Sequence, residues 1–185
     1  VVVAAPPAAV VLDPAQVRTQ LSLAPRAVVV PAPLPGSTVK TTTTTTLVPR
    51  RYNADRNVVV VTQEDKTVEL PYVTLPVLFV KETAELLDQE SRAALEQVAA
   101  VIRDVSKTEP GVVFEIEGHT STEGTDEFNM QLSAARAQRV FEELTQRYGV
   151  PASVLSAHGY GEGYPQFPNG TEPQKQLDRR VLVVR

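Results

Sequence analysis

Between residues 88 and 117 the spacing of apolar side chains changes period, and that change limits what the chain can fold into. Leu95, Val98, Ile102 and Val105 fall at i, i+3, i+7 and i+10, with Ala94 and Val101 widening the stripe, which describes one face of an α-helix. Asp88 is placed to cap its start, and Glu109-Pro110-Gly111 ends it. From Val112 the period drops to two. Val112, Phe114 and Ile116 face one way and Val113, Glu115 and Glu117 the other, as in a half-buried strand.

A second strand-to-helix junction follows. Gly118-His119-Thr120-Ser121-Thr122-Glu123-Gly124 is a polar turn, after which Asp126 can cap a helix with Phe128, Leu132, Val140 and Leu144 on its inner side. Tyr148-Gly149 before Pro151 stops that helix. Val154–His158 reads as a strand, Gly159–Gly170 as a Gly/Pro loop and Val181–Val184 as a closing strand. Upstream, Asn57–Thr62 and Thr67–Val73 flank Gln63-Glu64-Asp65-Lys66 as a hairpin, and Leu75–Val80 adds a strand, with Pro71 and Pro76 limiting how this part pairs. The order β-α-β-α-β-β predicts an α+β fold, helices packed on one mixed sheet, with the hairpin at residues 51–74 extending it and the main domain at 75–185.

Residues 1–50 differ in kind. They hold eight of the fifteen prolines, mixed with Val and Ala, and then six threonines from Thr41 to Thr46. Proline fixes φ and removes a donor, so this stretch favours extended conformations over a core. Asp13-Pro14 can start a helical turn, but nothing local sustains it. The expectation is a flexible tether with a span of about 40 Å, reaching about 150 Å if stretched. Leu47-Val48-Pro49-Arg50 resembles a protease-cleavage tetrapeptide.

Charge divides along the same line. Four basic residues and one acid make residues 1–50 near +3, while fourteen basic and twenty-one acidic residues make the remainder near −7. A negative globular part lacks the basic face that a phosphate backbone requires, so nucleic acid is not an expected partner. The chain has no cysteine, which excludes disulfides and thiolate metal sites. No apolar run reaches the roughly 20 residues of a transmembrane helix. The sequence opens on Val1 rather than Met, as it would if a signal peptide or other leading sequence had been removed.

The chemistry concentrates in the turn after residue 117. Its backbone N–H groups and the positive end of the following helix favour an anion. Arg136, two to three turns into that helix, either snorkels from the apolar stripe or turns towards a pocket, where its planar fork suits a carboxylate. Asn129 is placed to bond the turn's backbone. Glu117, His119 and Ser121 alternate along a strand, but the turn at Gly118 spoils the alignment and no Gly-flanked nucleophile elbow is present. The expected role of His119 is a structural hydrogen bond. His119 and His158 carry no metal-ligand spacing, and no cofactor is implied.

Four motifs in order, Gly118-His119-Thr120 with Gly124, Asn129 with Leu132-Ser133 and Arg136-Ala137, Gly159-Tyr160-Gly161-Glu162, and Asp178-Arg179-Arg180-Val181, resemble the OmpA C-terminal domain family. This is the peptidoglycan-associating module also found in Pal lipoproteins and MotB stators. Leu78-Phe79 and Thr83-Ala84-Glu85-Leu86 look like the family's first strand and its exit, so the resemblance covers about 75–185. It implies a βαβαββ sandwich that is not an enzyme. The membrane barrel of some relatives is not expected within residues 1–74, which cannot supply eight strands of about ten residues.

In that family an aspartate after His-Thr meets the ammonium of the wall's diaminopimelate, and the helix arginine meets a carboxylate. Carried over, the resemblance assigns Arg136 as that arginine, Asn129 as the helix-start asparagine, Thr120 as the turn threonine and Arg180 as an arginine of the last motif. Ser121 stands in the aspartate position, and losing a charge-assisted bond there costs about 1.5–3 kcal/mol, roughly ten- to a hundredfold in affinity. Val80 replaces a frequent acid, Asp178 the usual asparagine, and Glu123 is the candidate to restore the missing charge. The expected function is a non-catalytic module at the periplasmic or outer-membrane-associated side of the bacterial envelope. It binds peptidoglycan and tethers an envelope component to it, with other envelope proteins as further partners. The alternative is a protein-interaction or structural module of the same fold whose peptidoglycan binding is lost or altered.

Overall fold

The computed structural model describes residues 12–28, 49–63, 66–77, 79, 82–86 and 89–185. Val80 and Asp88 fall outside the described residues, and with them the expected acid position and helix cap; most of the expected tether does too. In chain order the elements are α1 (Pro14–Ser22), β1 (Arg26–Val28), β2 (Arg50–Asn53), β3 (Val58–Gln63), β4 (Lys66–Leu75), α2 (Gln89–Thr108), β5 (Phe114–Gly118), α3 (Asp126–Glu142), β6 (Leu155–Gly159), α4 (Glu172–Asp178) and β7 (Val181–Val184). The strands form one sheet in the order β2-β3-β4-β7-β5-β6, with β1 beside the first half of β4.

The hairpin and the main domain are continuous through β4. Its first half, Lys66–Pro71, pairs antiparallel with β3, and its second half, Tyr72–Leu75, pairs with β7. The expected boundary at residue 74 therefore falls inside one strand. The separate strand expected at Leu75–Val80 is replaced by the end of β4 and, past Pro76, a single bridge between Phe79 and Leu86. β5 lies antiparallel to β7 and parallel to β6, and α3 supplies the crossover that a parallel pair needs.

The last strand is central rather than peripheral. Val181 and Val183 enter the main core under the helices, while Leu182 and Val184 enter a second cluster with Val59 and Tyr72 on the opposite face. The main core is filled by Leu95, Val98 and Ile102 of α2, Phe114 and Ile116 of β5, Val140 of α3 and Leu144 in the helical turn that follows it. α2 follows the predicted stripe. α3 before Val140 does not: Phe128 is exposed, and Asn129, Ser133, Arg136 and Ala137 are the buried positions. The cause is close approach to β5 and β6. A Cβ on Gly118 would lie 2.1 Å from the Ser133 carbonyl oxygen, and one on Gly159 would lie 2.3 Å from the Ala134 nitrogen. Only small or polar side chains fit where backbone meets backbone. Thr125 caps the helix, one residue before the expected Asp126, its hydroxyl accepting from Phe128 N at 3.2 Å.

Two features correct the reading of residues 1–74. α1 is a nine-residue helix, started as expected by Asp13 (its carboxylate accepts from Ala15 N at 2.9 Å) and by Pro14. What sustains it is tertiary: Val17 and Leu21, an i,i+4 pair, are buried in the main core, and Arg18 pairs with Asp104 of α2 at 2.6 Å. This part of the proline-rich segment belongs to the domain. The second feature is the hairpin. In a flat sheet β2 and β5 would be about 19 Å apart, yet the Tyr52 hydroxyl donates to Glu117 at 2.6 Å and Arg50 pairs with the same carboxylate. The hairpin curls back over the open face of the sheet and covers it.

Candidate functional site

The turn after β5 is fixed by backbone bonds, His119 N to Arg180 O and Thr120 N to Gly161 O, both 2.9 Å. Asn129 holds it from the helix side: its amide donates to the Ser121 and Glu123 carbonyls, at 3.4 and 2.8 Å, and to the Glu162 carboxylate. Thr120 and Ser121 thereby border a cleft of about 590 Å³ that is also lined by Phe79, Glu82, the start of α3 and α4. The Thr120 hydroxyl is buried and has no hydrogen-bond partner among the described residues.

Arg136 forms one wall of this cleft and is only 7% exposed. Its Nε donates to the Thr83 carbonyl at 2.9 Å, and its guanidinium lies 5.0 Å from the Phe79 ring centre. Among the described residues no carboxylate is within ion-pair distance of it. Burial, then the charge of Arg179, lower its pKa from the ordinary arginine value, but a guanidinium starts so high that it stays cationic. A buried, unpaired cation beside an unpartnered hydroxyl is a site for an anion.

Arg179 is the second cation of the cleft. Its Nε donates to the Ser121 hydroxyl at 3.3 Å, and its other nitrogens pair with Glu172 at 2.6 Å and Glu123 at 2.7 Å. Glu123 also accepts from Lys175 at 2.7 Å, and that bond, with the charges of Lys175 and Arg179, holds its carboxyl below the usual range. The charge proposed to stand in for Ser121 is thus already matched within the protein.

Of the six expected site residues, Thr120, Ser121, Glu123, Asn129 and Arg136 come together at the cleft. Arg180 does not. It turns to the opposite face, donating to the Tyr164 carbonyl at 3.1 Å and lying over the Tyr52 ring. Alternation along the approach to β7 sends adjacent Arg179 and Arg180 to opposite sides, a signal available from Arg179-Arg180-Val181. Glu82, which also lines the cleft, had no such signal. Asp178 accepts from Gln166 N and Phe167 N at 2.6 and 3.1 Å and so holds the loop before α4.

A second polar cluster lies under the hairpin. Glu117, wholly buried, accepts from Arg50, from Tyr52, and from His119 Nε2 at 3.2 Å. Burial pushes its carboxyl up, but the His119 bond and the Arg50 charge outweigh that and leave it below the ordinary value. His119, held neutral by burial, packs near Tyr52 and Tyr160. Glu117 and His119 do meet, but Ser121 lies on the cleft side, so no nucleophile joins them.

The architecture is α+β, with helices packed on one mixed sheet and a cleft beside the start of α3. The sequence model of the OmpA family matches residues 78–179, and the chain belongs to that family. It is 39% identical over 80 residues to outer membrane porin F of Pseudomonas aeruginosa, spanning 43% of this chain and 23% of the porin. To outer membrane protein A of Escherichia coli O157:H7 it is 36% identical over 106 residues, 52% of this chain and 30% of the relative. The match thus spans less than a third of each. Among solved structures, the periplasmic domain of Helicobacter pylori MotB superposes with a TM-score of 0.52 at 25% identity, covering 63% of this chain and 80% of the other. The peptidoglycan-associated lipoprotein of Burkholderia pseudomallei gives 0.50 at 29% identity, covering 59% and 88%. Among the described residues no helix is long and apolar enough to cross a membrane.

Proposed function

We propose that this domain is a non-catalytic module of the bacterial envelope that binds peptidoglycan through the diaminopimelate of its stem peptide, linking an envelope component to the wall. The observation that carries this reading is Arg136: a guanidinium 7% exposed, steered by Thr83 and Phe79, and unmatched by any carboxylate among the described residues. A protein does not leave a buried cation unpaired without cost, and a ligand carboxylate would match it bidentately. The likeness to a peptidoglycan-associated lipoprotein supplies the ligand class. Relatives named as outer-membrane proteins support an envelope location.

One observation favours the rival, an interaction module with altered wall binding. Ser121 carries no charge, and Glu123 is engaged by Lys175 and Arg179. Sedimentation of the wild-type chain with purified intact sacculi separates the two. Co-sedimentation that a soluble stem peptide competes away supports wall binding, and a protein that stays in the supernatant supports the rival.

A further inference from the structure

The cleft has a carboxylate wherever the protein matches it internally, at Glu123 and Glu172, and one where it does not. Glu82 lines the cleft and makes no ion pair among the described residues. It is also a conformational outlier, with φ of 58° in the left-handed region that L side chains rarely adopt. Asn57 is the other described non-glycine residue with positive φ, and asparagine enters that region far more readily than glutamate. The neighbouring residue fixes where this strained backbone sits, since the Thr83 carbonyl accepts from Arg136 Nε at 2.9 Å. Glu82 thereby adjoins the residue that anchors the buried guanidinium. Backbone strain of this kind, held in place by a bond to a binding residue, is characteristic of functional positions.

We infer that Glu82 is the anionic half of the site: it receives the ammonium of a ligand amino-acid head whose carboxylate Arg136 holds. This rests on the wall-binding reading proposed above and specifies it. A carboxylate and a guanidinium lining one cleft suit a zwitterion in which ammonium and carboxylate share one carbon, as at the free end of diaminopimelate. The charge absent at Ser121 is then supplied by Glu82, which lines the same cleft, rather than from the turn after β5. Ser121 and Thr120 contribute hydroxyls only, and Arg179 keeps Glu123 and Glu172 out of competition for the ammonium.

The test is calorimetric titration of the full chain with a diaminopimelate-containing stem peptide, and with the same peptide acetylated on its free diaminopimelate amine. Glu82 is exposed, so Glu82→Gln leaves the melting temperature in place. The expected result is that Glu82→Gln weakens the free-amine peptide about ten- to a hundredfold and leaves the acetylated peptide unchanged. Arg136→Ala weakens both. If wild type binds and Glu82→Gln binds the free-amine peptide equally well, the assignment of Glu82 is overturned while wall binding stands. If wild type binds neither peptide nor sacculi, both are overturned.

Discussion

The two faces of the sheet use the same side chains to opposite ends. Under the hairpin, Arg50 is buried against Glu117, which Tyr52 and His119 also hydrogen-bond, so the charge is matched inside the protein. At the cleft, Arg136 is buried to a similar degree and meets only a carbonyl and an aromatic ring. A buried ion pair is a fixture of the fold, because removing one partner strands the other. A buried cation without a partner belongs to something that arrives. Burial alone does not separate these roles; the pairing does.

The largest effect that would break this contrast is on stability. Glu117→Ala strands Arg50 and is expected to destabilise by about 3–5 kcal/mol, lowering the melting temperature on the order of 10 °C, with sacculus binding retained below the transition. The same change should speed cleavage after Arg50 by a trypsin-like protease, since Arg50 is 11% exposed and sits in β2 in the wild type. Arg136→Ala inverts the pattern. It should weaken binding to a stem peptide about ten- to a hundredfold, with the melting temperature nearly unmoved; a large loss of stability would mark Arg136 as structural.

Smaller in size is the response to acid, which comes from the hairpin face. The folded pKa of His119 is depressed by burial, and that of Glu117 is depressed because its hydrogen bonds and Arg50 outweigh burial. The unfolded chain therefore binds more protons at both positions. Stability from His119 is complete above its ordinary value of about 6.5 and declines as pH falls below it; the Glu117 share declines below about 4.5. Melting temperature measured from pH 8 to 4 should fall first through the histidine range, and His119→Gln should remove that first limb. A wild-type curve flat to pH 5 would show that His119 is not held neutral.

Much of the fold was legible from period and turn chemistry. The α2 stripe, the alternation in β5 and the hairpin at 58–75 all rest on side-chain patterns that burial then follows. What was not legible depended on distant partners. Val17 and Leu21 are too few to mark a helix until α2 is there to bury them. The strand at 181–184 could not be placed at the centre of the sheet from sequence, although four successive apolar residues fit a strand buried on both faces. At the site, the family resemblance pointed to Arg136 and Ser121, whereas Glu82 and Arg179 line the cleft through tertiary placement that no local pattern announces.

The most direct measurement is a two-dimensional amide NMR titration of the folded chain with a diaminopimelate stem peptide. The predicted outcome is that shifts concentrate at Glu82, Thr83, Thr120, Ser121 and Arg136, while Tyr52, Glu117 and Tyr164 stay still. Shifts confined to the hairpin face, or none at millimolar peptide, would contradict the assignment of the unpaired arginine to the wall.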